Sequence, residues 1–210
     1  MRYREGVTKA IGLRERNKLE RRRRLEDVAI DLFERDGFDE TTIEEIAAAA
    51  GLAPRTFFSY FATKDDLVLA DYATRLDRIL TELDHRPVEG PAWSALQAAF
   101  SAVAADYEAE SDRLRRRFTI MATNPSVFAR SLQLQAGWEQ ALADRIRARL
   151  QAKADDPNPR LLAATALAVM RASLQHWLTT RRPPALPTLV ERGFVRLASG
   201  LEATAPEVRT

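Results

Sequence analysis

Two observations predict an all-α fold for this chain of 210 residues. Between its ten prolines, apolar residues recur at the i, i+3, i+4 spacing of buried helix faces. No window alternates apolar and polar residues with the β-branched and aromatic enrichment of strands, so we predict none. The pattern predicts about nine helices, near residues 14–36, 42–50, 54–61, 64–84, 92–109, 112–123, 126–153, 160–181 and 188–203.

The first predicted helix carries an apolar stripe and ends at a glycine. Gly37 fits the position after the helix, where the left-handed backbone favours glycine. The stripe requires a partner helix and consists of Leu25, Val28, Ala29, Leu32 and Phe33.

The next two predicted helices are short and close together. Thr42 fits the N-cap of the first, with Glu45 three residues on to complete a capping box. Gly51 ends that helix, and Pro54 fits the first turn of the following one. Two short helices joined by a three-residue turn describe a helix-turn-helix, whose second helix can lie in a DNA major groove. From spacing alone, a packing corner in an all-α protein fits equally well.

Composition excludes several classes of site. The chain has no cysteine, which rules out disulfides, thiolate metal sites and thiol nucleophiles, and two histidines argue against a multi-histidine metal centre. We expect no metal, no cofactor and no catalytic residue. The first residues are charged, and the longest nonpolar run, 161–170, is about half of what a membrane span requires. We therefore expect a cytoplasmic protein without a membrane segment.

The stretch from Thr41 to Leu67, TTIEEIAAAAGLAPRTFFSYFATKDDL, resembles the signature of the TetR family of bacterial transcriptional regulators. Ala29 to Phe38 also matches the family's first helix, so the resemblance covers about residues 20–70. It implies a three-helix DNA-binding domain over 1–64 and a larger helical effector-binding and dimerisation domain over 65–210. The residues in register are Thr42, Ile46, Ala47, Gly51, Thr56, Phe58, Phe61, Lys64 and Leu67.

Within this resemblance, the third helix is the recognition helix. Arg55 is the side chain there that can make a bidentate bond to guanine, so we expect it to carry sequence specificity. By analogy with family positions, Pro54 and Phe58 would touch thymine methyls or sugars. Phe57 and Phe61 are expected in the core instead, because a small three-helix domain needs aromatic filling.

Five residues are expected to contact the DNA backbone, through a helix N-terminus, hydroxyls or an ammonium group. The chain departs from the commonest family pattern at Ala53, Ser59 and Ala62, and Ala53 leaves the recognition helix without a side-chain cap. These departures put the number of phosphate contacts in doubt. The expected phosphate contacts are Thr42, Thr56, Ser59, Tyr60 and Lys64.

Charge is distributed unevenly, although the whole chain carries only +2. Residues 1–24 hold ten Lys or Arg against three Glu, a net of +7, whereas residues 25–64 carry −6. Residues 21–24 are all arginine, and we expect Arg21 and Arg24 to contact DNA from this basic arm. A solvated helix face is the alternative interpretation of the same run.

The region after residue 64 carries further helical stripes, most of whose members are expected in the core. Collectively, its aromatic and methionine side chains suggest an effector cavity, with His176 as a polar group beside Trp177. The arginines at 113 and 115–117 fit an anionic head group or plain surface, and we favour surface. The candidate cavity residues are Trp93, Phe100, Tyr107, Phe118, Met121, Phe128, Trp138, Met170, His176 and Trp177.

The resemblance implies a homodimer formed by the last two helices, 160–181 and 188–203, bound to a palindromic double-stranded DNA operator. Effector binding would tilt the helix 64–84 and change the separation of the two Arg55 side chains, which releases a repressor from DNA. The cavity residues favour a hydrophobic or amphipathic small-molecule effector, such as a fatty acyl thioester or an aromatic compound.

Two alternatives stay open at this point. An all-α enzyme would use carboxylates such as Asp65, Asp66, Asp71 and Asp77, although such residues are also common at helix starts and exposed faces. A regulator of the same family could bind no small molecule and be switched by a protein partner.

Overall fold

The computed structural model describes residues 12–200, and within this range all regular structure is helical. The all-α prediction is confirmed. The ten helices are α1 (Leu13–Asp36), α2 (Ile43–Ala49), α3 (Pro54–Phe57), α4 (Asp65–Val68), α5 (Tyr72–Asp84), α6 (Ala92–Ala109), α7 (Ser111–Thr123), α8 (Pro125–Leu150), α9 (Asn158–Thr179) and α10 (Leu186–Ala198).

The count exceeds nine because the predicted helix 64–84 is two helices. Residues 69–71 form turns between α4 and α5, so the helix is interrupted at a point that has no glycine or proline. The recognition helix is also shorter than predicted, since α3 ends at Phe57 and residues 58–60 continue as a turn.

The described chain groups into two compact units. The first contains residues 12–70 together with Ile120–Val127, and the second contains Asp71–Thr119 together with residues 128–200. A functional domain boundary after residue 64 stays a prediction. No helix among residues 12–200 is long and apolar enough to cross a membrane.

In the first unit, α1 packs on α2 and α4, and α3 packs on α2. Gly37 ends α1 with φ +97°, and its N–H donates to the Phe33 carbonyl at 3.1 Å. The Phe33 and Phe38 rings lie 4.8 Å apart between centroids. The buried residues of this core include Leu25, Ala29, Phe33, Phe38, Ile46, Ala47, Phe57, Phe61, Leu67 and Val68.

In the second unit, α6 contacts α5, α9 and α10, and α9 packs on α10. The largest buried side chains include Phe100, Phe194, Leu142 and Ile146, so α8 also contributes to this core. Trp93 and Phe194 pack at 4.5 Å between ring centroids, and the Trp93 indole N–H donates to the Phe194 carbonyl at 3.1 Å. The indole is therefore fixed by both packing and a hydrogen bond.

Candidate nucleic-acid interface and effector site

The N-terminus of α2 forms the predicted capping box. Thr42 Oγ1 accepts from the Glu45 amide at 3.2 Å, and Glu45 Oε2 accepts from the Thr42 amide at 2.9 Å and from its hydroxyl at 2.8 Å. The Thr42 backbone and hydroxyl bonds lower the pKa of Glu45, so its carboxylate stays charged. A phosphate contact by Thr42 would have to displace this carboxylate, and it stays a prediction.

Helix α3 separates a buried face from an exposed one. Pro54 occupies its first turn, and its N-cap residue makes no side-chain cap bond. Phe57 is fully buried and its ring lies 5.8 Å from that of Phe61, as expected for core residues. Phe58 is 59% exposed, and Arg55 is exposed on the first turn. The structure therefore presents Arg55 and Phe58 outward while Phe57 anchors the helix.

A basic cleft lies beside this helix and has a volume of about 690 Å³. It brings together three of the predicted DNA contacts, Arg21, Ser59 and Tyr60. Lys18 and Arg14 also line it, one and two turns before Arg21 on α1, so three cations and two hydroxyls share one surface with the single carboxylate of Glu15. Such a set suits phosphate oxygens. The first eleven residues of the basic arm lie outside the described residues.

Two other arginines of the 21–24 run differ in their contacts. Arg24 is exposed and lies against the turn of the helix-turn-helix, because a Cβ built on Gly51 would be 3.7 Å from its Nη2. Arg22 instead makes its contacts within the first unit. Its Nε bonds Glu26 at 3.2 Å, its Nη2 donates to the Ala70 carbonyl at 3.1 Å, and its Cζ lies 4.9 Å from the Phe61 ring centre. Arg22 therefore links α1 to Phe61 and to the turn after α4.

Lys64 has structural partners that the sequence did not indicate. Its ammonium donates to the carbonyls of Phe38 at 2.6 Å, Asp39 at 3.1 Å and Thr41 at 3.2 Å, and it lies 4.5 Å from the centre of the Phe38 ring. These three bonds use the donors of one ammonium. The structure does not support the expected phosphate contact, because the group is already satisfied by the loop between α1 and α2.

The candidate cavity residues fall into three groups. Phe100, Tyr107, Met170 and Trp177 are buried in the second unit, and Trp93 and Trp138 pack against the same core. Phe118 and Met121 are half-buried on α7, and Met121 belongs to the first unit. Phe128 is 49% exposed at the start of α8.

Two predictions for the second unit are corrected by the structure. His176 is exposed, with its Nδ1 3.4 Å from Thr180 Oγ1, because Trp177 takes the buried face of α9. It does not join the buried aromatic set. The surface interpretation of the arginine cluster is wrong for Arg117, which is 4% exposed, whereas Arg115 is half-buried. Arg115 donates to the carbonyls of Leu178 at 2.6 Å and Trp177 at 3.2 Å, as a cation does at a helix C-terminus.

Sequence reasoning missed a polar cluster around Arg75 of α5. Arg75 forms an ion pair with Asp71, and its Cζ lies 4.2 Å from the centre of the buried Tyr107 ring. Burial raises the pKa of the Tyr107 hydroxyl to about 12. Burial raises the pKa of Tyr72 too, and its ring lies 5.3 Å from that of Trp138 on α8. The i, i+4 spacing of Asp71 and Arg75 was the available signal.

Two of the four carboxylates of the enzyme alternative, those of Asp66 and Asp71, have structural partners. Asp66 exchanges bonds with Thr63, and Asp71 pairs with Arg75. Across residues 12–200, no three His, Asp or Glu side chains form a group that could hold a metal ion.

Family models match two parts of the chain. The model described as bacterial regulatory proteins, tetR family, matches residues 25–70, and that of the MftR C-terminal domain matches residues 90–202. The first match covers the helix-turn-helix, and the second covers most of the second unit.

Among similar proteins, the one named mycofactocin biosynthesis transcriptional regulator MftR of Mycobacterium tuberculosis is 34% identical over 154 residues, covering 73% of this chain and 78% of that one. The HTH-type transcriptional regulator TcmR of Streptomyces glaucescens is 31% identical over 204 residues, covering 94% and 88%. A crystal structure of Thermus thermophilus FadR, a TetR-family repressor in complex with lauroyl-CoA, superposes with a TM-score of 0.58 and 24% identity, covering 88% and 97%.

Proposed function

This chain belongs to the TetR family of bacterial transcriptional regulators, and we propose that it is a homodimeric repressor released from a palindromic operator by a hydrophobic or amphipathic effector. The DNA-binding domain would comprise residues 1–64, and the effector-binding and dimerisation domain residues 65–210. Membership of the family supports DNA-binding regulation of transcription, and the repressor sense and the effector are the proposal.

One observation carries the DNA-binding assignment: α3 and the turn after it present Arg55 and Phe58 outward, while Phe57 fixes the helix in the core. A guanidinium held in this way can make two bonds to guanine O6 and N7. The basic cleft places Arg21, Ser59 and Tyr60 beside it, where they would position the helix on the DNA backbone. Pro54, Thr56 and Arg24 complete the proposed contact surface.

The test is selection of bound sequences from a randomised duplex pool, followed by affinity measurements on the enriched site. We expect a palindromic site, weaker binding as salt rises, and a loss of roughly 5- to 150-fold on Arg55→Ala. Arg35→Ala is the matched control, because Arg35 is an exposed arginine of the same unit, paired with Asp36 at the end of α1. Equal affinities of the Arg55 and Arg35 variants would contradict the assignment.

The effector proposal rests on the buried aromatic set of the second unit, including Phe100, Tyr107 and Trp177. A structure of the same fold holds lauroyl-CoA, which makes this compound a reasonable first probe. We expect lauroyl-CoA to raise the melting temperature and to release the operator, with free coenzyme A as the control. If an acyl and aromatic ligand panel neither stabilises the protein nor releases DNA, the alternative of a partner-switched regulator is favoured.

The dimer proposal concerns the outward faces of α9 and α10. Helices α9 and α10 pack against each other, yet each also has an exposed apolar residue. Leu161 of α9 is 62% exposed and Val195 of α10 is 55% exposed. Exposed apolar side chains on adjacent helices suit a two-fold helical interface. Sedimentation velocity should show a dimer that Leu161→Glu and Val195→Glu dissociate. Val88→Glu, at an equally exposed apolar residue outside these helices, should leave it intact.

A further inference from the structure

Arg75 of α5 is a largely buried cation in the second unit. The side chain of Arg75 is 13% exposed and lies between the Asp71 carboxylate and the face of the Tyr107 ring. A guanidinium has five N–H donors in a planar fork that matches a carboxylate. Burying such a charge requires a paired anion. Here the anion is the carboxylate of Asp71, the residue immediately before α5.

Two neighbouring helices add hydrogen-bonding groups to this place. Tyr107 is on α6, with its ring centre 4.2 Å from Arg75 Cζ, while the Tyr72 hydroxyl, one turn before Arg75, lies near Ser131 and Gln135 of α8. Ser131 is fully buried. The Tyr72 and Trp138 rings lie 5.3 Å apart and provide an apolar wall beside these polar groups. A charged fork, tyrosine hydroxyls and an aromatic wall together suit a ligand with one anionic end and an apolar body.

We propose that Arg75 is the polar anchor of the effector site and binds a ligand carboxylate, which displaces Asp71. This inference rests on the proposed function and specifies the chemistry of its effector. Exchange of the two carboxylates is feasible because the Asp71 side chain is already 26% exposed at the N-terminus of a 13-residue helix. Water and the helix dipole both stabilise its charge there once the ligand has taken the guanidinium.

The position of Asp71 connects this exchange to the DNA-binding unit through the chain itself. Asp71 follows Ala70 directly, and the Ala70 carbonyl accepts the Arg22 bond that holds the end of the first unit to α1. Releasing Asp71 from Arg75 frees the first turn of α5 at the turn formed by residues 69–71. The ligand therefore acts at the turn between α4 and α5, because the Asp71–Arg75 ion pair is present in the free protein and broken in the complex.

Calorimetry on the full chain tests the ligand class without any variant. The probes are decanoate against decan-1-ol, and 2-naphthoate against 2-naphthylmethanol, which pair each carboxylate with an alcohol of the same apolar body. We expect at least one carboxylate to bind about tenfold or more tightly than its alcohol. If neither carboxylate binds more tightly than its alcohol, the proposal is overturned.

Variants test whether Arg75 is the residue that binds the ligand carboxylate. Arg75→Gln should abolish the preference for the carboxylate, whereas Arg78→Gln should keep it, since Arg78 is an exposed arginine one turn on that pairs with Glu82 and Asp106. If Arg75→Gln does not fold, Arg75→Lys keeps the charge and should weaken carboxylate binding several-fold. Carboxylate preference in a folded Arg75→Gln protein overturns the assignment.

Asp71→Asn provides the opposite prediction. With the competing charge removed, it should bind the carboxylate about tenfold more tightly and, by linkage, bind operator DNA more weakly without ligand. Unchanged affinities for both would overturn the displacement step. Failure of the chain to select any DNA site would refute the proposed function, whereas the calorimetric comparison decides the Arg75 site independently.

Discussion

Gly193 of α10 lies directly against Val169 of α9, since a Cβ built on Gly193 would stand 2.7 Å from Val169 Cγ1. That separation is shorter than any ordinary carbon–carbon contact, and valine has few side-chain conformations with which to yield. The absence of a side chain at residue 193 therefore sets how closely the last two helices approach.

Gly193→Ala should lower the free energy of unfolding by about 1 to 2 kcal/mol, because overpacking outweighs the gain in helix propensity. Chemical denaturation measures it. Val169→Ala in the same chain should restore part of the loss by removing the obstructing methyl group. Gly137→Ala is the control, as no atom lies within 4 Å of its added Cβ, and it should stabilise α8 by up to about 1 kcal/mol. A Gly193→Ala variant as stable as Gly137→Ala would contradict the close approach.

Lys64→Met should reduce the free energy of unfolding by about 2 kcal/mol, because three carbonyls lose a charged donor. The same substitution should leave the salt dependence of operator affinity unchanged. A phosphate contact would instead reduce the slope of log affinity against log salt by about one. The two measurements thus separate a structural lysine from a DNA-binding one.

Phe57 of α3 and Phe58 of the following turn should respond differently to substitution by alanine. Phe57→Ala should cost about 3 to 5 kcal/mol of stability, because the ring is fully buried. Phe58→Ala should change stability by less than about 0.5 kcal/mol. It should nevertheless weaken operator binding by about 1 kcal/mol, through the loss of an exposed apolar contact. Similar destabilisation by both substitutions would show that Phe58 is also a core residue.

Alkaline pH should destabilise the second unit through Tyr107. Burial raises the pKa of its hydroxyl to about 12 in the folded chain, against about 10 when unfolded. Between these values the unfolded chain loses the proton and the folded chain keeps it, so stability is present below pH 10 and falls as pH rises toward 12.

Urea titrations of the wild type and Tyr107→Phe at pH 10 and pH 11 measure this effect. The wild type should lose on the order of 1 kcal/mol more than the variant over this step. Parallel losses in both proteins would mean that the Tyr107 hydroxyl is accessible to solvent.

Local features of the fold could be predicted because they depend on residues within one or two turns. The capping box at Thr42 and Glu45, the glycine stop at residue 37 and the burial of Phe57 and Phe61 follow from spacing and residue type. In each case the partner lies a few positions away, where helix geometry alone determines the neighbour.

Long-range partners could not be predicted in this way. Lys64 bonds carbonyls 23 to 26 residues before it, and Arg115 caps a helix end 63 residues after it. The turn at residues 69–71 has no helix-breaking residue, and the Ala70 carbonyl there is bonded by Arg22 rather than by a local group. Tertiary bonds of this kind override a helical pattern that continues through the break.

The tryptophans Trp93, Trp138 and Trp177 all belong to the second unit, and the chain has three in total. Tryptophan fluorescence therefore reports on the second unit alone. The candidate recognition surface contains phenylalanine and tyrosine but no tryptophan. Tryptophan fluorescence would therefore follow occupancy of the proposed effector site during the proposed release from DNA, without an attached dye.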